Sequence, residues 1–169
     1  MFMEGCGVLD VECRYTMCFI KKNDEILLLN REKSAWMGRW NGLGGKIEPG
    51  ETPHESALRE VKEEAGLHLE KMDCRGRLIW ILEDGKRGGM HLYWAELPAD
   101  RTCPTPTKTD EGILDWKRIA WILHPENKGM SVNVVKCLPI LLADKKQHLF
   151  QLHWRGEELI AFDHAELSD

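Results

Sequence analysis

Glu51, Arg59, Glu60, Glu63 and Glu64 crowd four carboxylates and a guanidinium into one short stretch of the chain. On a helix advancing about 100° per residue, Glu60, Glu63 and Glu64 share one face, and Ala57, Leu58, Val61 and Ala65 form the adjacent apolar stripe. Like charges at this spacing destabilise a helix by roughly 0.2–0.5 kcal/mol per pair. Stability therefore gives no reason for them. A solvated acidic face is one reading. The other is a cation site, because hard ions such as magnesium take carboxylate and carbonyl oxygens in near-octahedral sets with waters and substrate phosphates. A glycine turn just before the helix would add a backbone carbonyl.

The element that carries these groups has clear boundaries. Thr52 and Glu55 have the spacing of a capping box, Pro53 suits the first helical position, and Gly66 suits a left-handed C-terminal cap. The expected helix is Pro53 to Ala65. Before it, Gly38-Arg39-Trp40-Asn41-Gly42-Leu43-Gly44-Gly45-Lys46 carries four glycines, which free the backbone to turn and approach a ligand. Apolar, β-prone runs at Tyr15 to Ile20 and Ile26 to Asn30 flank the hairpin signal Lys22-Asn23-Asp24, and Glu32 to Gly38 reads as a loop.

Beyond the helix, strands are expected at Arg77 to Leu82 and Met90 to Leu97, around a mobile tip from Glu83 to Gly89. Pro98 to Asp110 reads as a loop and Leu114 to Ile122 as a strand. Val134, Val135, Leu138, Leu141 and Leu142 predict a helix over Ser131 to Ala143, with Pro139 bending it or marking a late start. Leu149 to Trp154 and Leu159 to Phe162, around Arg155-Gly156, predict a closing hairpin.

The order Gly45, Glu51, Arg59-Glu60-Val61, Glu63-Glu64 and Gly66-Leu67, with five, seven, one and one residues between, matches the Nudix box at every defining position. The chain therefore resembles the Nudix hydrolases. That resemblance implies an α/β/α sandwich with a mixed β-sheet, in which the box forms a loop, helix and loop and divalent cations serve pyrophosphate hydrolysis. It implies that the Gly45 carbonyl, Glu60, Glu63, Glu64 and Glu111 hold about two to three magnesium ions, or manganese in their place. Glu60, Glu63 and Glu111 are the alternatives for the group that takes a proton from the attacking water. Arg59 would orient a carboxylate, Glu51 foremost, by a forked hydrogen bond.

Trp40 to Lys46 looks like the corresponding run of the MutT-type enzymes, the 8-oxo-dGTP diphosphatases that sanitise oxidised nucleotides. By that likeness Asn41 reads a purine base, for which an amide offers both donor and acceptor. Lys46 is expected to touch phosphate. The products would be a nucleoside monophosphate and pyrophosphate. Of the seven tryptophans most should be core. Trp116, which follows the Glu111 loop, is the one expected to meet a base. The human-type enzyme has an adjacent aspartate pair that Glu126-Asn127-Lys128-Gly129-Met130 lacks, which leaves base specificity open.

A chain of 169 residues is expected to form a single Nudix hydrolase domain over residues 1–169. A formal charge of −5 argues against a surface that coats nucleic acid, so no duplex nucleic-acid partner is expected, whereas a nucleotide's phosphates could be met by metal. No stretch reaches the length of a membrane span and no signal-peptide pattern opens the chain, so the cytoplasm is the expected location. Six cysteines, Cys6, Cys13, Cys18, Cys74, Cys103 and Cys137, form no CxxC pair and read as free thiols. Two rival functions remain: a Nudix hydrolase of ADP-ribose or of the 5′-triphosphate end of RNA, and a non-catalytic nucleotide-sensing module. A sensor has no need for the complete set of box glutamates.

Overall fold

The computed structural model describes residues 10–168, which leaves Cys6 outside the description. Strands β1 (Cys13–Lys22) and β2 (Glu25–Arg31) form the first hairpin, with Asn23 in the left-handed region (φ 53°), a conformation that asparagine tolerates. β3 (Trp40–Asn41) pairs with β2 before the chain enters α1 (Pro53–Ala65). β4 (Asp73–Leu82) and β5 (Arg87–Glu96) follow, then the short β6 (Thr107–Lys108), β7 (Gly112–Arg118) and α2 (Ile119–Ile122). Helix α3 (Val132–Ala143) and the hairpin β8 (His148–Arg155) and β9 (Glu158–Glu166) complete the order.

One nine-stranded sheet runs β6-β7-β2-β1-β5-β4-β8-β9, with β3 beside β2. β1 with β5 and β4 with β8 are parallel pairs, and the remaining pairs are antiparallel. Alternation along the central strands sends side chains to both faces. Met17, Phe19, Ile26 and Leu28 meet Val134 and Leu138 of α3 on one face. Cys18, Ile20, Leu27 and Leu29 meet Ala57 and Val61 of α1 on the other. The result is an α/β/α sandwich on a mixed sheet, as the resemblance implied. Among the described residues no helix is long and apolar enough to cross a membrane.

Helix α1 has the expected ends. The Thr52 hydroxyl accepts the Glu55 N–H at 3.2 Å, and the Glu55 carboxylate accepts the Thr52 N–H at 2.8 Å. Gly66 adopts the left-handed cap (φ 67°) and its N–H bonds the Lys62 carbonyl.

Two sequence expectations are corrected. The strand expected to reach Ile122 stops at Arg118, whose partner Glu25 is the first residue of β2, so the ladder ends there. The Ile119 N–H turns to the Asp24 carbonyl and four residues coil into α2. Pro139 marks no late start, since α3 begins at Val132 and carries Pro139 within it at an exposed position. Cys13, Cys18, Cys74, Cys103 and Cys137 are free thiols, as expected.

Thr52→Ala removes the reciprocal cap and should lower unfolding free energy by about 1 kcal/mol. Urea denaturation of the two proteins measures the difference.

Candidate active site

The site grows from the packing of a loop against a helix. Gly45 accepts the Thr16 N–H of β1 at 2.9 Å, the Ile47 N–H bonds the Arg14 carbonyl, and the Cys18 and Leu43 backbones bond each other. The loop is thus zipped along β1. Gly44 has φ 136°, and a Cβ there would overlap the Thr16 carbonyl; a Cβ on Gly45 would overlap the Glu60 carboxylate. Gly44 is required for the loop to close on β1, whereas a side chain at Gly45 would press on the Glu60 carboxylate of α1.

Arg59 organises that face. Its Nε and Nη2 grip both oxygens of Glu51, the second at 2.9 Å, while Nη1 donates to Glu60 at 2.9 Å and Glu63 at 3.2 Å. Nη2 also reaches the Lys46 carbonyl at 3.2 Å. One guanidinium therefore satisfies three carboxylates and the loop together. The fork holds the Glu51 carboxyl down at about 2, chiefly through its hydrogen bond, and keeps Arg59 charged.

Glu64 sits on the other flank, where its carboxylate accepts the Gly44 N–H at 3.0 Å. Burial pushes its pKa up to about 8, against the pull of the Gly44 bond; Glu60 adds to the rise, Arg31 opposes it and Glu111 adds to it. Burial also raises Glu60, although Arg59 opposes it. These are carboxylates short of positive charge. Glu63 is 59% exposed, and Glu111 is paired with Lys33 at 3.0 Å.

Among the described residues no three His, Cys, Asp or Glu side chains stand ready as a metal cage. The five groups expected to hold magnesium are instead turned to protein partners. Arg59 holds Glu60 and Glu63, Gly44 holds Glu64, Lys33 holds Glu111, and Thr16 takes one lone pair of the Gly45 carbonyl. The donor set still fits a hard cation, since all the groups offer oxygen and the two most buried carry raised pKa values that a cation would reverse.

The residues assigned to the substrate divide. Asn41 is buried, and its side-chain oxygen accepts both the Gly42 N–H (3.0 Å) and the Ser131 hydroxyl (2.9 Å). Lys46 is exposed and its backbone bridges to Tyr15. Trp116 is half-buried in the α1 layer and donates its indole N–H to the Cys103 carbonyl at 3.3 Å. Sequence reasoning passed over Tyr15 and Trp80. Their rings stand 6.1 Å apart beside a cleft of about 450 Å³, also lined by Arg14, Gly88 and Gly89, and Tyr15 joins the box through Lys46. At Gly88 any side chain would overlap the Trp80 indole. Arg31, the last residue of β2, lies close enough to Glu64 to lower its pKa. A larger groove of about 770 Å³ lies elsewhere, lined by Arg75, Trp94 and Arg101, with none of the box glutamates in its wall.

Residues 13–132 match the model of the NUDIX domain. The chain is 30% identical over 137 residues to the oxidized purine nucleoside triphosphate hydrolase of Mus musculus, covering 78% of this chain and 81% of the mouse protein. Among solved structures, a MutT protein from Bacillus halodurans superposes with a TM-score of 0.74 at 24% identity, covering 89% of this chain and 96% of the other. The NUDIX domain of Shewanella oneidensis NrtR, complexed with ADP ribose, gives 0.60 at 15% identity, covering 79% and 90%. At these identities the two structures show a shared fold. The family match over most of the chain meets a box whose glutamates, arginine and glycines are all in place, and the chain belongs to the Nudix domain family as a Nudix hydrolase.

Proposed function

We propose that this protein is a divalent-cation-dependent pyrophosphohydrolase of purine nucleoside triphosphates, oxidised ones such as 8-oxo-dGTP included, which releases a nucleoside monophosphate and pyrophosphate. The observation that carries the reading is the Arg59 and Gly44 framework, which aligns Glu60, Glu63 and Glu64 against a loop leading directly from Asn41. The similarity to the mouse oxidized purine nucleoside triphosphate hydrolase over most of both chains supports the substrate class.

Glu60, Glu63 and Glu64, with Glu111 and the free lone pair of the Gly45 carbonyl, would hold magnesium or manganese. Such a cation neutralises phosphate oxygens and acidifies a bound water. Arg59 keeps Glu51 ionised and fixes the rotamers of Glu60 and Glu63, so the ligands start near one another. Arg31 and Lys46 supply positive charge at the phosphate end. Glu60, Glu63 or Glu111 accepts the proton of the attacking water; Glu63 suits this role by its exposure.

At the other end, Asn41 faces the base edge. Trp116 is half-buried in the α1 layer with its indole N–H on the Cys103 carbonyl, while Tyr15 and Trp80 lie at the Lys46 end of the loop, five residues along from Asn41. ADP-ribose is the second reading, supported by the ADP-ribose complex of the NrtR Nudix domain on the same fold.

Glu63→Gln should lower metal-dependent turnover of a purine nucleoside triphosphate by about a hundredfold or more. The melting temperature should hold, since the side chain is 59% exposed. Near-normal turnover in that variant would falsify the assignment of the acidic face. A nucleotide panel containing 8-oxo-dGTP, dGTP, a pyrimidine triphosphate and ADP-ribose decides the substrate class.

Glu64 gives a pH-dependent test. Its folded pKa of about 8 lies above the ordinary value of 4.5, so the folded state holds this proton more tightly than the unfolded state. The stability it contributes is complete below pH 4.5 and is lost as pH rises through about 8. In chelator, the wild-type melting temperature should therefore fall across that window, and Glu64→Gln should flatten the fall. Magnesium added at pH 8 should raise the melting temperature of the wild type more than that of Glu64→Gln.

A further inference from the structure

The buried Asn41 amide has an orientation that its neighbours dictate. A backbone N–H can only donate, so the Gly42 contact fixes the side-chain oxygen as the atom facing it. Ser131, bonded to the same oxygen at 2.9 Å, must donate as well. Both lone pairs of the oxygen are then occupied, and only the NH2 group remains to meet a ligand. We propose that Ser131 is a positioning residue for substrate recognition, locking the Asn41 amide so that the site shows a base edge two N–H donors and no acceptor. The chemistry it selects is a hydrogen-bond acceptor on the base, a ring nitrogen or a carbonyl oxygen. This rests on the nucleotide reading given above and narrows it.

Three features of Ser131 support a dedicated role. It is fully buried, at 0% exposure. It occupies the N-cap of α3 with the extended backbone of a capping residue (φ −67°, ψ 144°), yet its hydroxyl caps no helix N–H. A serine in that place ordinarily spends its oxygen on the first turn, for about 1 kcal/mol of helix stability. Here the hydroxyl turns to Asn41.

The backbone fixes where that hydroxyl stands. The Ser131 N–H bonds the Trp40 carbonyl at 2.9 Å, its carbonyl accepts the Val135 N–H at 3.3 Å, and Met130 bridges to Trp40 in parallel. The start of α3 is thus tied to β3 beside the amide it orients. Asn41 and Ser131 are ninety positions apart in the chain, so no local pattern could announce the pair.

The test uses the full chain with magnesium and compares wild type with Asn41→Asp, Ser131→Ala, Ser131→Thr and the Asn41→Ala and Asn41→Ala/Ser131→Ala pair. Asn41→Asp keeps an acceptor for both internal donors but replaces the NH2 with a second acceptor. Steady-state kinetics are read on whichever of a purine triphosphate, a pyrimidine triphosphate and ADP-ribose the wild type hydrolyses fastest. Asn41→Asp should raise KM about tenfold with kcat held within about twofold, the signature of lost ground-state recognition. Ser131→Ala should raise KM about threefold to tenfold, Ser131→Thr should restore it, and Ser131→Ala should add nothing in the Asn41→Ala background.

An unchanged KM in Asn41→Asp overturns the proposal. So does a Ser131→Ala defect that persists undiminished without Asn41, because a merely structural role for Ser131 would not depend on that amide. If Asn41→Asp fails to fold, the Ser131→Ala and Ser131→Thr comparison decides alone. A wild-type preference for ADP-ribose or a pyrimidine overturns the purine triphosphate reading, while the variants still judge Ser131 on the preferred substrate.

Discussion

Three glutamates on one face of α1 repel one another, and the site depends on how that repulsion is contained. Arg59 contains it for Glu60 and Glu63 while gripping Glu51 and the Lys46 carbonyl of the loop. Gly44 contains it for Glu64 with a backbone N–H, a weaker remedy that leaves this carboxyl with a pKa pushed up to about 8. The helix is therefore an unfinished electrostatic structure. Its cap at Thr52 and its buried stripe of Ala57 and Val61 stabilise it enough to tolerate the imbalance.

The sandwich serves this imbalance by holding the loop still. β1 lies at the centre of the sheet, paired to β2 and β5, and the loop from Leu43 to Ile47 is hydrogen-bonded along it. Gly44 lets the loop close on β1, and Gly45 leaves room for the Glu60 carboxylate of α1. Asn41 and the loop that faces the acidic side of α1 thus form one continuous segment anchored to a buried strand. A rigid scaffold under a functional loop is what positioning demands.

Two layers divide the labour. The α1 layer carries the charge, and Trp116 packs in it half-buried with its indole N–H on the Cys103 carbonyl. At the head of α3 stand Trp40, Met130 and the Ser131 hydroxyl that turns the Asn41 amide. The acidic face and the Asn41–Ser131 pair are therefore supported by different helices.

Much of this was legible in the residues alone. The capping box, the helix from Pro53 to Ala65 and the acidic face follow from local spacing, because a helix imposes its period on its own sequence, while the α/β/α sandwich was implied by the family resemblance. The end of β7 at Arg118 was not legible, since it depends on where the partner strand begins. The Arg59 fork on Glu51 was expected, but its further bonds to Glu60 and Glu63 and the Gly44 bond to Glu64 were not legible. The pairing of Asn41 with Ser131 lay furthest out of reach, a contact between residues ninety positions apart. The sequence by itself determined which chemical groups are present and which helix carries them. Only the tertiary structure decided which donors and acceptors remain free, because hydrogen-bonding capacity is consumed by neighbours in space, not by neighbours in the chain.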